Sequence, residues 1–451
     1  IMDNENLNPY DQMMPQPDDP DKNSEKNKER KKHGFAAGVG VGVAAGAAGT
    51  IVIAIVGVFI YMAVFGHTLG EGLTTAGNEL LDSSTVSKVD ELKSYIDKYY
   101  YDDYDKEELQ NGILQGLVEG LGDQYSLYYT ADDYKQLQEA TTGTYYGIGA
   151  ALKQDADTKQ VTIKKIYSGT PSEEAGLKEG DEIISVGDTD ATSEELSDLV
   201  KEIRGDEGTT VHLKVYRAST DETFEVDVER KNVELPSVEG QMLDNGVAYM
   251  QISEFQTNTA QQFGDMLDGF ENAGMKGLIV DLRGNPGGLV TAVTDIVDRI
   301  LPAEKVGDLP EGTVVYTKDK SGHTETYGQD DGKQINCPIV VLVDKNSASA
   351  SEIFAGAMKD YTEDGYIDAT LVGTTTFGKG IVQTIYPLED GDAVKITTSK
   401  YYTPNGNNIH GVGIDPDVEI EYEYTGDKNA DYDMQYDNQL QKAIEVMNEK
   451  L

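Results

Sequence analysis

Several residue types on which protein chemistry often relies are scarce in this chain of 451 residues. It has one cysteine, Cys337, no tryptophan and five histidines, and its 37 basic residues face 81 acidic ones, for a formal net charge of −44. A single cysteine excludes an intramolecular disulfide, and scattered histidines without partner cysteines argue against a zinc site. Phosphate binding needs a basic surface, so nucleic acid is excluded as a partner. We expect neither a metal nor a cofactor, and the chemistry has to come from other side chains.

One uncharged, apolar stretch lies near the N-terminus. Residues 1–34 are polar and cannot bury enough apolar surface to fold, so we predict a disordered cytoplasmic tail. Residues 35–66 carry no charge and exceed the about 20 helical residues that cross a bilayer, which predicts a transmembrane helix. Basic residues precede this stretch and none follows it until Lys88, so the positive-inside rule places the N-terminus in the cytoplasm. A cleavable signal peptide is the alternative, but its apolar region is shorter.

The sequence therefore predicts a single-pass protein of the cell membrane whose remaining chain is extracytoplasmic. Helical spacing of apolar residues over 84–142 predicts a helical N-terminal segment, and the same spacing over 430–451 predicts a C-terminal helix. These helices are natural contacts for a homodimer, although they could equally form a packing collar within one chain.

Residues 144–232 have the pattern of a small β-rich module. A loop with alternating glycines, Tyr146, Gly147, Ile148 and Gly149, can turn its backbone N–H groups toward an anion such as a peptide carboxylate. An extended peptide could then add as a strand beside residues 148–152. Together with the stretches 169–177 and 180–184, these residues resemble a PDZ domain. Taken alone, the glycine loop would be a weak signal, because such turns are commonly structural.

Residues 236–428 alternate strand-like and helix-like segments, which predicts an α/β core. Two segments in it combine turns with small residues. The first, Asp281–Gly288, is a strand followed by a glycine turn, and its N–H groups suit an oxyanion or serve only as a tight connection. In the second, 340–352, a strand leads into serines at the start of a helix, where a serine is either a nucleophile or a helix cap.

A nucleophilic serine needs a base, and the sequence offers few. The segment has neither a G-x-S-x-G elbow nor an S-x-x-K motif, since Glu352 stands three residues after Ser349. His323 and His410 lie in the same region, but no Asp partner is evident for either. Lys379 is flanked by glycines and apolar strands that could desolvate its amine, and a neutral lysine can deprotonate a serine.

The glycine-rich stretch around Lys379 also approaches the P-loop pattern. The pattern requires Ser or Thr directly after the lysine, where this chain has Gly380, and a strand-like segment follows instead of a helix. Nucleotides are also scarce outside the cytosol. We reject nucleotide binding.

Taken together, residues 89–451 resemble the C-terminal processing peptidases, which are PDZ-containing serine proteases with a Ser/Lys dyad. The most specific matching segments are Leu121–Ser126, Asp281–Gly288, Ser347–Glu352 with Asp360, and Phe377–Gln383. The resemblance implies a crotonase-like or Clp-protease-like core, an inserted PDZ domain and helical terminal segments.

Position by position, the resemblance assigns roles to individual residues. Ser349 is the nucleophile and Lys379 the general base, and Gln383 orients the lysine amine. Asp360 matches a supporting acidic position, and Ser347 and Ser351 are structural. The oxyanion hole falls on the N–H of Ala350 and an N–H near Gly287.

The expected function is cleavage of unstructured C-terminal tails of exported or membrane proteins, captured by the PDZ domain. The expected mechanism is acyl transfer from the substrate to Ser349. A catalytically inactive PDZ scaffold and a histidine-based hydrolase are the alternatives. The presence of both Ser349 and Lys379 argues against the scaffold.

Overall fold

The computed structural model describes residues 80–304, 306, 309–328, 332–427 and 432–451. The predicted cytoplasmic tail, 1–34, and the predicted transmembrane helix, 35–66, lie outside these residues. Across the described ranges, no helix is both long enough and apolar enough to cross a membrane.

The N-terminal segment is helical, as predicted, but it also contains a short strand. Its elements are helix α1 (Ser83–Tyr99), helix α2 (Lys106–Glu119), strand β1 (Leu127–Tyr129) and helix α3 (Ala131–Thr142). The side chains of Asp82, Asp105 and Thr130 accept backbone hydrogen bonds and so start the three helices. Within the described chain, α1 and α2 bury none of their residues, so their apolar side chains face outward.

The β-rich module folds around its own hydrophobic core. In chain order its elements are β2 (Thr144–Gly147), β3 (Ala150–Gln154), β4 (Val161–Ile166), α4 (Pro171–Glu174), β5 (Glu182–Val186), β6 (Thr189–Asp190), α5 (Leu196–Ile203), β7 (Thr210–Arg217), β8 (Glu222–Glu229) and β9 (Lys231–Glu234). The strand order is β3-β4-β5-β7-β8, with β6 beside β5, while β2 and β9 pair separately where the chain enters and leaves the module. Strand β3 is therefore an edge strand.

The α/β core follows. Its elements are β10 (Val238–Met242), β11 (Val247–Ile252), α6 (Thr259–Asn272), β12 (Gly277–Asp281), α7 (Val290–Asp298), β13 (Val315–Asp319), β14 (Thr324–Tyr327), β15 (Ile339–Val343), α8 (Ala350–Glu363), β16 (Ala369–Gly373), β17 (Ile381–Pro387), β18 (Ala393–Tyr402), β19 (Val418–Glu419) and α9 (Asn438–Lys450). The main sheet has the order β10-β11-β12-β15-β16-β19 and is parallel except for β10.

The main sheet is covered on both faces, as a parallel sheet requires. Every residue of β12 and β15 is buried. Helices α6, α7 and α8 contribute to the large core on one face, and α9 packs on the other through Leu440, Ala443 and Met447. In such sheets the chemistry lies beyond the carboxyl ends of the strands, and the segments after β12 and β15 are the two that the sequence singled out.

A second, antiparallel sheet lies against the carboxyl ends of these strands. Strand β18 is its centre and pairs with β17, β13 and the N-terminal strand β1. Lys379 lies two residues before β17. The second sheet thus joins three distant parts of the sequence beside the ends of β12 and β15.

The C-terminal helix begins later than the predicted residue 430. Helix α9 starts at Asn438, because the side chain of Asp437 accepts the N–H of Leu440 at 2.9 Å and caps it. Asp437 also binds the guanidinium of Arg283, which pairs in turn with Asp281; both carboxylates are almost fully buried. This ion cluster fastens the C-terminal segment to the turn after β12.

Replacing Asp437 by alanine should destabilise the protein by about 3–5 kcal/mol, because it leaves part of a buried guanidinium unpaired and removes the cap of α9. Urea denaturation of both proteins measures the difference. Glu445→Ala, which breaks an exposed pair on the same helix, should cost less than about 1 kcal/mol. Equal effects of the two substitutions would contradict the role given to the cluster.

Candidate active site

Ser349 lies at the sharp turn between β15 and α8. Its backbone has φ 54° and ψ −110°, a conformation that non-glycine residues seldom adopt, and its side chain is buried. Ala350, the next residue, starts the helix. The hydroxyl therefore stands where the first N–H groups of α8 and the helix dipole favour negative charge.

The two turns flagged in the sequence are joined by hydrogen bonds. The hydroxyl of Ser347 donates to Leu282 O at 2.7 Å, and that of Ser351 donates to Asn285 O at 2.9 Å. Both serines thus donate their hydroxyl hydrogens to backbone carbonyls of the neighbouring turn, which is what a structural role requires.

Gly287 lies against the serine so closely that only glycine fits. Its φ is 108°, and a Cβ on it would stand 2.8 Å from the Cβ of Ser349 and 2.9 Å from the N of Ala350. The N–H of Gly287 donates to Asn285 Oδ1 at 2.8 Å, so it cannot be the free donor. Within the part of the chain that the structure describes, the N–H groups of Ala350 and Gly288 have no acceptor. The prediction that Ala350 and an N–H near Gly287 form the oxyanion hole stays a prediction.

Lys379 is almost fully buried, with 1% of its surface exposed. Burial lowers the pKa of its amine from the ordinary 10.5 to about 7, although the carboxylates of Glu352 and Asp123 act in the opposite direction. The ring of Tyr125 covers the amine, with its centroid 4.8 Å from Nζ. At neutral pH a large share of this lysine is uncharged and able to accept a proton.

Glu352 ties the serine and the lysine together. Its Oε2 accepts the N–H of Ser349 at 2.9 Å and the N–H of Lys379 at 2.8 Å. Its Oε1 accepts the N–H of Gly378 and the hydroxyl of Thr376 at 2.7 and 2.6 Å. Burial raises the pKa of Glu352, and these four hydrogen bonds oppose the rise. The S-x-x-E spacing of a capping box was the signal in the sequence that could have identified this residue.

The two remaining predicted positions, Gln383 and Asp360, are both buried, and Asp360 lies about 15 Å along α8 from its first residue. Gln383 lies four residues after Lys379 on β17, and its Nε2 donates to Thr397 Oγ1 at 3.1 Å. Asp360 Oδ2 accepts the N–H of Asn405 at 2.6 Å and so holds the turn that follows β18. Their predicted roles stay predictions.

The N-terminal segment contributes residues that sequence reasoning did not place at the site. Besides Tyr125, the turn before β1 supplies Asp123, whose charge acts on Lys379. Lys395, on β18, is a second buried lysine; burial lowers its pKa well below the ordinary value, and its amine lies 5.3 Å from the ring centroid of Tyr129. Asp123 and Tyr125 lie about 250 positions before Lys379 in the sequence, so the spacing of motifs could not reveal them.

The histidines have different surroundings. His323 lies in the turn between β13 and β14, with its N–H donating to Asp319. His410 is only partly buried and packs beside Gly380; the partial desolvation of its ring, together with the charges of Lys400 and Lys379, lowers its pKa. Over the ranges described here, no group of three or more acidic, histidine or cysteine side chains could hold a metal ion.

Tyr146 and Gly147 of the predicted peptide loop lie in strand β2, which pairs with β9, and Ile148 lines a groove in the β-rich module. Gly149, with φ 78°, ends the stretch Tyr146–Gly149 and leads into the edge strand β3. A cavity of about 210 Å³ lies between β3 and α5, lined by Ile148, Ala150, Ala151, Leu152, Val200 and Ile203 together with Tyr145, Tyr167, Arg204 and Leu235. The guanidinium of Arg204 lies 4.6 Å from the ring centroid of Tyr145. The groove combines an open strand edge, an apolar wall and one cation.

Comparison with known proteins yields three family matches. The model of peptidase family S41 matches residues 246–420, a PDZ domain model matches 146–228, and the model of the activating protease CtpB N-terminal domain matches 51–133. These matches agree with the division into a protease core and a PDZ domain that the motifs predict.

Curated relatives show the same similarity. The chain is 33% identical over 364 residues to the carboxy-terminal processing protease CtpB of Bacillus subtilis (strain 168), covering 80% of this chain and 72% of that protein. It is 31% identical over 373 residues to CtpA of the same organism, covering 82% and 76%. It is 35% identical over 312 residues to the carboxyl-terminal-processing protease of Synechocystis sp., covering 68% and 70%. The resemblance predicted from the motifs is confirmed.

The buried amine of Lys379 predicts a pH-dependent stability. The pKa of Lys379 is lowered in the folded state, so the unfolded chain binds more protons than the folded one between about pH 7 and 10.5. The resulting reduction in the free energy of unfolding is therefore complete below about pH 7, and it disappears as the pH rises to about 10.5. Lys379→Met should therefore be more stable than the wild type by about 4 kcal/mol near pH 7, and the gain should fade toward pH 10.5.

Urea denaturation of both proteins at several pH values measures this difference. The exposed Lys345, in the turn before the serine, is the matched control, and Lys345→Met should show no such trend. A gain for Lys379→Met that does not change with pH would show that the lysine is charged in the folded protein.

Proposed function

Because the chain belongs to the carboxy-terminal processing proteases of peptidase family S41, which are serine-type peptidases, we propose that it is a membrane-anchored endopeptidase that cleaves unstructured C-terminal segments of extracytoplasmic proteins. One observation carries the proposal. A buried lysine that is largely neutral at pH 7 and a serine in a strained turn are bound through their backbones to the same carboxylate, that of Glu352.

In the proposed reaction Lys379 Nζ takes the proton from Ser349 Oγ, and the oxygen attacks a backbone carbonyl of the substrate. The N–H groups of Ala350 and Gly288 stabilise the oxyanion. The protonated lysine then gives its proton to the leaving amine, which departs as the new N-terminus of the released fragment. Water, deprotonated by the neutral lysine, hydrolyses the acyl-enzyme and regenerates the serine.

The neighbouring predicted residues take supporting roles in this proposal. Gln383 orients the lysine amine from the adjacent strand. Asp360 keeps the turn after β18 in place through Asn405. The nucleophile is held by backbone geometry, which leaves the site open to many side chains and predicts broad sequence specificity.

We propose that the PDZ domain captures the substrate through its C-terminus. A tail that enters the groove can add as a strand to the open edge of β3, which gives affinity through backbone hydrogen bonds. Its terminal side chain would pack against Ile148 and Ile203, which favours small apolar ends. The stretch Tyr146–Gly149, of which Ile148 lines the groove, and the cation of Arg204 suit a terminal carboxylate.

Membrane anchoring and assembly are part of the proposal. The uncharged stretch 35–66 and the basic residues before it support a single-pass anchor with a cytoplasmic N-terminus and extracytoplasmic catalytic and PDZ domains. The outward-facing apolar side chains of α1 and α2, among them Leu92, Ile113 and Leu117, support a homodimer formed through the helical segments.

Ser349→Ala and Lys379→Met should each abolish cleavage of an unstructured protein that ends in a small apolar residue, because each removes one half of the proton transfer. Gel analysis of turnover by the full chain in detergent measures the loss, and Lys345→Met should cut at the wild-type rate. Cleavage by Lys379→Met would identify another base, His410 first, and an inert wild type with a peptide in the groove would favour the PDZ scaffold.

Capping the C-terminal carboxylate of the same substrate as a carboxamide should lower kcat/KM about tenfold, mainly through KM, because a charge-assisted contact in the PDZ groove is lost. Steady-state kinetics with the two peptides tests this. A peptide amidated on an internal acidic side chain serves as the control for lost charge. Equal cleavage of the free and capped termini would exclude capture of the carboxylate.

A further inference from the structure

The turn between α2 and β1 lies directly over the lysine of the site. The ring centroid of Tyr125 is 4.8 Å from Lys379 Nζ, and only 9% of the tyrosine surface is exposed. The tyrosine comes from the N-terminal helical segment, whereas the serine and the lysine come from the protease core. The N-terminal segment thus contributes one wall of the lysine pocket.

This turn is held by a chain of hydrogen bonds that ends on the second sheet. Asp123 Oδ1 accepts the N–H of Tyr125 at 3.0 Å, and its Oδ2 accepts the hydroxyl of Ser126 at 2.6 Å. The N–H of Thr397, on β18, donates to Ser126 Oγ at 3.1 Å. The pairing of β1 with β18 continues the attachment in the next three residues. The ring therefore has a fixed position over the amine.

The charges around the amine do not themselves favour its neutral form. Glu352 on α8 and Asp123 on the turn both favour the protonated amine. Lys395 on β18 and His410 on the loop after β18 are the basic groups nearby, and burial lowers the pKa of each, which reduces the positive charge that either contributes. Exclusion of water is what opposes the two carboxylates. The face of the Tyr125 ring attracts the protonated amine, whereas the bulk of the same ring excludes water from it. The ring favours the neutral amine only when the exclusion of water exceeds this attraction.

We propose that Tyr125 is a positioning residue of the catalytic site, which closes the pocket of Lys379 against water and holds the amine in the form that accepts the proton of the serine. The inference rests on the proposed function and adds to it that the N-terminal helical segment is part of the catalytic unit. The ring, rather than the hydroxyl, is the active element.

The test is the pH profile of kcat/KM for the full chain, measured between about pH 5.5 and 10 with an unstructured substrate. Tyr125→Ala admits water, so its acid limb should move up by about one pH unit or more from its wild-type position, with cleavage at pH 7 reduced about tenfold and largely restored near pH 10. Tyr125→Phe keeps the ring and should keep the wild-type profile. A loss in Tyr125→Ala that is equal at every pH would overturn the proposal.

Tyr129→Ala is the matched control, because it removes the same side chain from the same segment but uncovers Lys395. A charge gained by Lys395 disfavours the protonated form of Lys379, so the acid limb should stay or move to lower pH. An upward shift in this variant as well would mean that the segment has merely loosened, which contradicts a specific role of Tyr125.

A measurement without catalysis separates this proposal from the proposed function. In the Ser349→Ala background, the ¹³Cε signal of Lys379, assigned by its loss in Lys379→Met, reports the charge of the amine. The pH at which this signal titrates should rise with Tyr125→Ala, whether or not the wild type cleaves the substrate. If this pH rises and the wild type cleaves nothing, only the proposed function fails. Cleavage by the wild type together with an unchanged titration would overturn the role of Tyr125 and leave the proposed function intact.

Discussion

The carboxylate of Glu352 is the interaction on which the rest of the site depends. It is buried at the first turn of α8 and accepts hydrogen bonds from the backbones that carry Ser349 and Lys379. A buried carboxylate is costly unless its oxygens are satisfied, and here the donors come from both sides of the reaction centre. The charge of Glu352 also favours the protonated amine of Lys379, so the carboxylate that aligns Ser349 and Lys379 works against the neutral form of the amine. Burial has to exceed that effect.

The structure achieves this burial by bringing remote segments together. The glycine turn and the serine follow the carboxyl ends of β12 and β15, which are neighbouring strands of the main sheet. The second sheet places the lysine beside them. The N-terminal turn then covers the amine with an aromatic ring. On the opposite side, the buried cluster of Arg283, Asp281 and Asp437 fixes the glycine turn to the C-terminal segment. The site is thus held in place by elements from both ends of the described chain.

Sequence reasoning reached the residues whose signals are local. Ser349 and Lys379 stand in short motifs, the resemblance of the same motif to the family implies that the two outer serines are structural, and the strand beside which a peptide can add is expected from the glycine loop that precedes it. The state of the Gly287 N–H needed coordinates, because its hydrogen bond to Asn285 Oδ1 leaves no signal in the sequence. Asp123, Tyr125 and Lys395 were missed since a fold, and not a spacing, brings them to the lysine. The later start of α9 reflects its Asp437 cap, which periodicity alone does not locate.

The pairing of β1 with β18 has a consequence for the timing of activity. Ser126 and its partner Thr397 are 271 positions apart, so the lysine pocket cannot close until nearly the whole chain has been synthesised. Contacts of such long range form late and slowly in folding. A growing chain would display the serine turn before the amine of Lys379 is buried, and under the proposed mechanism it would be inert during that interval.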